Sequence, residues 1–215
     1  MKTVSRRQAF TLIEFLVVLA IIGILAAITV PAIVSSLRGA QLSQAAQQVV
    51  NVLEFAHRTA LTQNRTVEVR FYQLAKAEMP GENISSPATG KFRALQCFQY
   101  DDSGVATQID KVQILPGSII IDSNSTLSSL LDASQAKTTW TTGDPQISLP
   151  IVGTSYNTRA FDFQGGGSTT LSPIGRQWFI TLHSSMDGDN LTSLPKDFST
   201  LQMDPLNGHI QSFRP

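Results

Sequence analysis

Hydrophobic and polar positions along this chain fall into three regimes. Residues 9–34 read AFTLIEFLVVLAIIGILAAITVPAIV and are apolar on every helical face. About 20 such residues cross a bilayer core, so the run predicts a membrane-entering helix. One carboxylate, Glu14, lies near its start. A charge at that depth costs on the order of a few kcal/mol and marks a functional position whose partner has to be named. From residue 35 to 63 the pattern becomes amphipathic. Leu42, Ala46, Val49, Leu53, Ala56 and Ala60 recur at spacings of four and three, which puts them on one helical stripe. These residues are small, so the stripe reads as core that lets a sheet approach closely rather than as a coiled-coil seam. The spacing predicts one helix that leaves the bilayer and lays a face on a folded domain. Pro31 lacks an amide hydrogen and clashes with the preceding turn, so a kink or a loosened turn is expected there; Gly39 is a second weak point.

After residue 64 the period switches to two. Val67, Val69 and Phe71 alternate with Glu68, Arg70 and Tyr72, the pattern of a half-buried strand. Asn64 suits the helix end because Asn tolerates a left-handed conformation. A Pro-, Gly- and Ser-rich loop follows over residues 76–91, then a strand over 92–100 and a turn at Asp101-Asp102-Ser103-Gly104. Residues 109–115 and 118–122, separated by Pro116-Gly117, predict another hairpin. Residues 123–144 are weakly patterned, with a helical turn expected over 127–131. Strands are expected over 160–164 and 177–183, separated by Gly165-Gly166-Gly167 and Pro173. Residues 201–213 read as two strands around Asn207-Gly208. The predicted class is α+β: a long N-terminal helix, transmembrane in its first half and amphipathic in its second, packed on an antiparallel β domain.

Composition narrows the function. The 215 residues carry 16 basic and 16 acidic side chains. Residues 1–9 hold Lys2, Arg6 and Arg7 and no acid, so without them 13 basic residues face 16 acidic ones. That balance is not the charge profile of a dedicated nucleic-acid binder. A basic leader before an apolar span keeps the amino terminus in the cytoplasm and sends the rest across. Cys97 is the sole cysteine and is expected to be a small buried residue. His57, His183 and His209 are isolated in sequence, and His57 is expected on the surface. No nucleophile elbow frames a serine, no ligand spacing suits zinc, and Gly165-Gly166-Gly167 lacks the Lys-Ser/Thr that completes a phosphate loop. Asp187-Gly188-Asp189-Asn190 offers closely spaced oxygens of the kind calcium uses but reads better as a solvated turn. No enzymatic activity, cofactor or metal is expected.

The start of the chain, MKTVSRRQA followed by FTLIE and an apolar run, resembles the prepilin signal of type IV pilins and type II secretion pseudopilins. The resemblance implies a pilin-like fold and cleavage by a prepilin peptidase between Ala9 and Phe10, with Phe10 becoming the N-methylated terminus. It also implies that Glu14 acts in filament assembly by meeting the terminal amine of a neighbouring subunit. Pro31 falls where many pilins kink the first helix. Ala9 is a departure, since most members have Gly before the cut. The stretch LEFAHRTALTQNRTVEVRF over 53–71 is similar to the helix–strand junction of GspH/FimT-like minor pseudopilins. Most of the chain resembles, more narrowly, the D proteins of the Verru_Chthon cassette, through NRTVEVRFY, FRALQCFQYDDSG, VQILPGSIIID, WFITL and DPLNG…SFRP.

The organisation implied is a prepilin leader over 1–9, a transmembrane helix over 10–34, its amphipathic continuation over 35–63 and an extracytoplasmic antiparallel β domain over 64–215. The expected protein is a minor pseudopilin-like structural subunit of a type II secretion or type IV pilus-like filament. It would be a single-pass protein of the bacterial inner membrane with a periplasmic domain. Its expected partners are prepilin peptidase, other pilin or pseudopilin subunits and inner-membrane lipid. Two alternatives stand beside this. One is a DNA-binding minor pilin for DNA uptake, although Gly208-His209-Ile210-Gln211 lacks both arginines of the Gly-Arg-Val-Arg type of motif and phosphate contact needs several fixed positive charges. The other is a conventionally secreted or anchored domain.

Overall fold

The computed structural model describes residues 11–132, 147–150, 152–175 and 177–215, without the side chains at 28, 30–32 and 34. The first element is a single helix, α1 (Leu12–Gln63). Its backbone is helical through position 31. The chain divides into two compact units, Met1–Ala40 and Gln41–Pro215.

The helix ends as its sequence predicts. Asn64 takes φ +50, and the Arg65 amide reaches back to the Ala60 carbonyl at 3.2 Å. This satisfies a carbonyl that the last turn would otherwise leave bare. Strand β1 (Val67–Leu74) starts three residues later. It is followed by β2 (Lys91–Tyr100), β3 (Ala106–Gln108), β4 (Gln113–Ile114), β5 (Ile119–Ile121), β6 (Asn157–Phe163), β7 (Trp178–Ser184), β8 (Phe198–Met203) and β9 (Ile210–Phe213). Among the described residues these form one antiparallel sheet in the order β6-β1-β2-β5-β7-β8-β9, with β3 and β4 also on β2.

The helical stripe is the centre of the core. Leu42, Ala46, Val49, Leu53, Ala56 and Ala60 are all buried. All but Ala46 join Val67, Val69, Phe71, Leu95, Cys97, Ile180, Leu182, Leu201 and Met203 of the sheet in one apolar cluster. Ala45 and Val52 widen the stripe beyond the six positions of the periodic pattern. Alanines at 45, 56 and 60 have no exposed surface, so the sheet lies close to the helix backbone, as small residues permit.

Two expectations are corrected. Strand β1 is not half-buried, because Glu68, Arg70 and Tyr72 on its second face are as buried as Val67 and Val69. A second apolar cluster of Tyr72, Leu74, Ala94, Leu149 and Val152 covers part of that face. An alternating pattern with charged residues reads as solvent-facing unless those charges are paired inside, and here Arg70 Nε meets Glu68 Oε1 at 2.5 Å. Residues 109–122 also do not form a hairpin. β4 pairs with Ala94 and Leu95 of β2, and β5 continues along the same strand at Phe92 before pairing with β7. Pro116-Gly117 therefore offsets the strand without reversing it. At Gly117, φ is +58 and a Cβ would lie 2.4 Å from Gln41 Oε1, so the offset brings the chain close onto α1.

Other turns follow the sequence. Residues 129–131 form a single 3-10 turn. The Gly165-Gly166-Gly167 segment is a tight turn closed by Gln164 N to Ser168 O at 2.8 Å. The Asn207-Gly208 pair sits in a loop that spans Asp204 to His209, closed by Asp204 N to His209 O at 2.9 Å. The weakly patterned stretch lies outside the described residues over 133–146.

Candidate functional site

The site named from sequence is the start of α1. Ala9 and Phe10, the expected cleavage and methylation positions, lie outside the described residues, as does the side chain of Pro31. Glu14 is described and exposed, in the first turn of α1. Its Oε2 accepts hydrogen bonds from the Thr11 amide at 2.7 Å and the Thr11 hydroxyl at 2.8 Å. The Glu14 amide in turn donates to Thr11 Oγ1 at 3.3 Å. This is a reciprocal capping box: a Thr at the helix cap and a Glu three residues on satisfy each other's orphan amides. The sequence signal for it is the Thr-x-x-Glu spacing from Thr11 to Glu14. Both bonds to the carboxylate converge on Oε2, and no described residue donates to Oε1. Beside it, Ile13, Val17 and Val18 wall a shallow groove of about 310 Å³. One carboxylate oxygen thus closes the helix end, and the carboxylate borders an apolar groove.

That surface is extensive. Leu12, Ile13, Phe15 and Leu16 are each more than half exposed. Among the described residues no helix is long and apolar enough to cross a membrane. The expected span over 10–34 includes Phe10 and the side chains at 28, 30–32 and 34, which lie outside the described ones.

Several buried titratable groups of the domain are paired within its own structure. His183 is fully buried, with Nδ1 2.9 Å from the Ser184 carbonyl and Nε2 2.9 Å from Asp122 Oδ2. The carbonyl has no proton to give, so Nδ1 donates. Asp122 already accepts the amides of Asn124 at 2.7 Å and Leu191 at 3.2 Å. Both ring nitrogens face acceptors, which leaves neither free to act as a base. The sequence could not show this pair, because its members are 61 residues apart. His57 is half-buried rather than on the surface. Its Nε2 lies 3.1 Å from the Gly167 carbonyl, and a Cβ at Gly208 would sit 2.8 Å from its ring. Two glycine turns therefore close on it.

Asp189 is engaged within the fold: it accepts the Ser123 amide at 2.9 Å and meets Lys91 Nζ at 3.3 Å. Among the described residues no cluster of His, Cys, Asp and Glu could hold a metal. Cys97 is buried, with Sγ 3.8 Å from the Val52 carbonyl. Burial, reinforced by the charge of Asp110, pushes its thiol well above the ordinary range. In the tail, His209 N donates to Asn207 Oδ1 at 2.8 Å and Arg214 donates to Ser43 Oγ.

Residues 4–30 match the family described as the prokaryotic N-terminal methylation motif. No curated protein matches the chain. Among solved structures, the type IV minor pilin FimU of Pseudomonas aeruginosa is similar at 14% identity and a TM-score of 0.42, over 81% of this chain and 92% of that one. The chain thus carries a prokaryotic N-terminal methylation motif at the head of an α+β fold, a long helix whose second half packs on an antiparallel sheet.

Proposed function

We propose that this protein is a minor pseudopilin-like structural subunit of a type II secretion or type IV pilus-like filament. The observation that carries the reading is the methylation motif over residues 4–30. In this reading prepilin peptidase cuts between Ala9 and Phe10, and Phe10 is methylated. Residues 10–34 hold the subunit in the inner membrane, and the β domain lies on the periplasmic side. The GspH/FimT-like junction and the likeness to Verru_Chthon cassette protein D support a minor subunit.

The physical logic centres on Glu14. Cleavage creates a free amine at Phe10, four residues before it. A carboxylate in a low-dielectric setting gains most from a cation at short range, and an uncompensated one is costly. A neighbour's amine meets that need only in correct register, so the pair selects register as the apolar helices associate. Glu14→Ala is expected to leave membrane insertion intact and to lower incorporation into filaments. In vivo cross-linking of wild type and variant tests this, and equal recovery in assemblies would contradict it.

A further inference from the structure

Within the unit Gln41–Pro215, the exposed side of α1 and the segment leading into β4 border an open cleft of about 520 Å³. Its wall is chemically unusual. Gln44, Gln47, Gln48 and Asn51 of the helix and Gln113 of β4 present five carboxamides, and Asp110 is the only ionisable group among the lining residues. Phe55 closes the row with 42% of its surface exposed. The helical members recur at spacings of three and four, so they share one face, beside the stripe that faces the core. We propose that this cleft binds a neutral saccharide.

Charge and hydrogen-bond inventory carry the assignment. No cation lines the cleft, so it offers an anion nothing, and the Asp110 carboxylate opposes one. An apolar ligand would cover amide groups whose remaining donors and acceptors it cannot satisfy, at a cost for each. A carboxamide sets a donor and an acceptor in one plane, which matches adjacent ring hydroxyls. An accessible phenyl face suits the C–H side of a pyranose, and the pairing of an apolar ring with convergent polar groups is the usual build of a small-molecule site. The polar groups are held in place: Gln47 Nε2 donates to Asn51 Oδ1 at 2.8 Å, and Gln48 Nε2 reaches Gln113 Oε1 at 3.3 Å and the Ile114 carbonyl at 3.2 Å. Gln48 already donates to the Ile114 carbonyl at 3.2 Å, so a peptide strand extending β4 would share that acceptor. The volume suits a ligand of disaccharide size.

The test uses the full chain in a zwitterionic detergent without a sugar head group, titrated with chitobiose, cellobiose and maltose and read by saturation-transfer difference NMR. The expected result is saturable binding of at least one sugar, with a Kd of about 1 mM. Phe55→Ala and Asn51→Ala should each weaken it roughly tenfold with an unchanged melting temperature, because both side chains are exposed. Three results would overturn the assignment: no saturable signal for any of the three sugars, a signal that survives both substitutions, or cross-links from position 51 to another subunit that the sugars do not reduce. The last would give the face to subunit packing.

Discussion

Glu14 plays a double part, capping the helix through its Oε2 bonds to Thr11 and placing a carboxylate beside an apolar groove. The two halves make separable contributions. Thr11→Ala removes the cap partner but keeps the charge, and should cost the helix end about 1 kcal/mol with a smaller loss of filament incorporation than Glu14→Ala. Amide exchange at residues 12–14 checks the first effect, and filament yield compares the two variants. If Thr11→Ala abolishes incorporation as fully as Glu14→Ala, capping rather than charge pairing is the dominant role. Cys97 gives a second residue-scale expectation. Its folded thiol titrates above its unfolded value because of burial, and the buried Tyr72 phenol is raised for the same first reason. Groups with raised folded values stabilise fully below their unfolded values, about 8.5 for Cys and about 10 for Tyr, and lose that contribution as pH rises toward the folded ones. Stability should therefore fall from pH 8 to 11 in urea titrations, and Cys97→Ala should flatten the first part of the slope. Native protein at pH 8 should resist iodoacetamide until denaturant is added; rapid labelling without it would contradict the burial.

At the scale of elements, periodicity was informative wherever one rule acted alone. The stripe from Leu42 to Ala60, the left-handed end at Asn64 and the strands β2, β7, β8 and β9 were legible because spacing and turn chemistry agreed. The sequence misled where tertiary partners overrode local pattern. Glu68 and Arg70 looked solvated because nothing local shows a buried counter-charge two positions away on a covered face. Pro116-Gly117 looked like a reversal because turn residues do not say whether the strands they separate pair with each other or with a third. The loop before β2 holds the same lesson. Glu82 Oε1 meets Arg93 at 2.6 Å with both side chains buried, and Glu82 Oε2 accepts the Lys76 amide at 2.7 Å. Among the described residues Arg93 Nε and Nη1 have no hydrogen-bond partner, so Glu82 is its main compensation. Glu82→Gln leaves a buried guanidinium without its counter-ion and should cost about 3–5 kcal/mol. Equilibrium denaturation measures it; a change below about 1 kcal/mol would mean that another anion serves Arg93.

At the scale of the whole molecule, the parts suit different tasks. The first unit presents apolar side chains to its surroundings and a single carboxylate. The second buries the pairs Glu68–Arg70, Glu82–Arg93 and Asp122–His183 and shows an amide-rich cleft to solvent. The compact units divide between Ala40 and Gln41, and the nearby change from all-round apolar to amphipathic was legible in the sequence. The cleft was not, because its wall joins Gln44 to Gln113 across positions that no local pattern relates. The central claim is that this chain enters a filament through a processed amino terminus, and intact-mass spectrometry of the protein purified from cells with active prepilin peptidase tests it most directly. The account predicts a chain that begins at Phe10 and carries one added methyl group. A mass that retains residues 1–9, or a terminus further along the chain than Phe10, would contradict it.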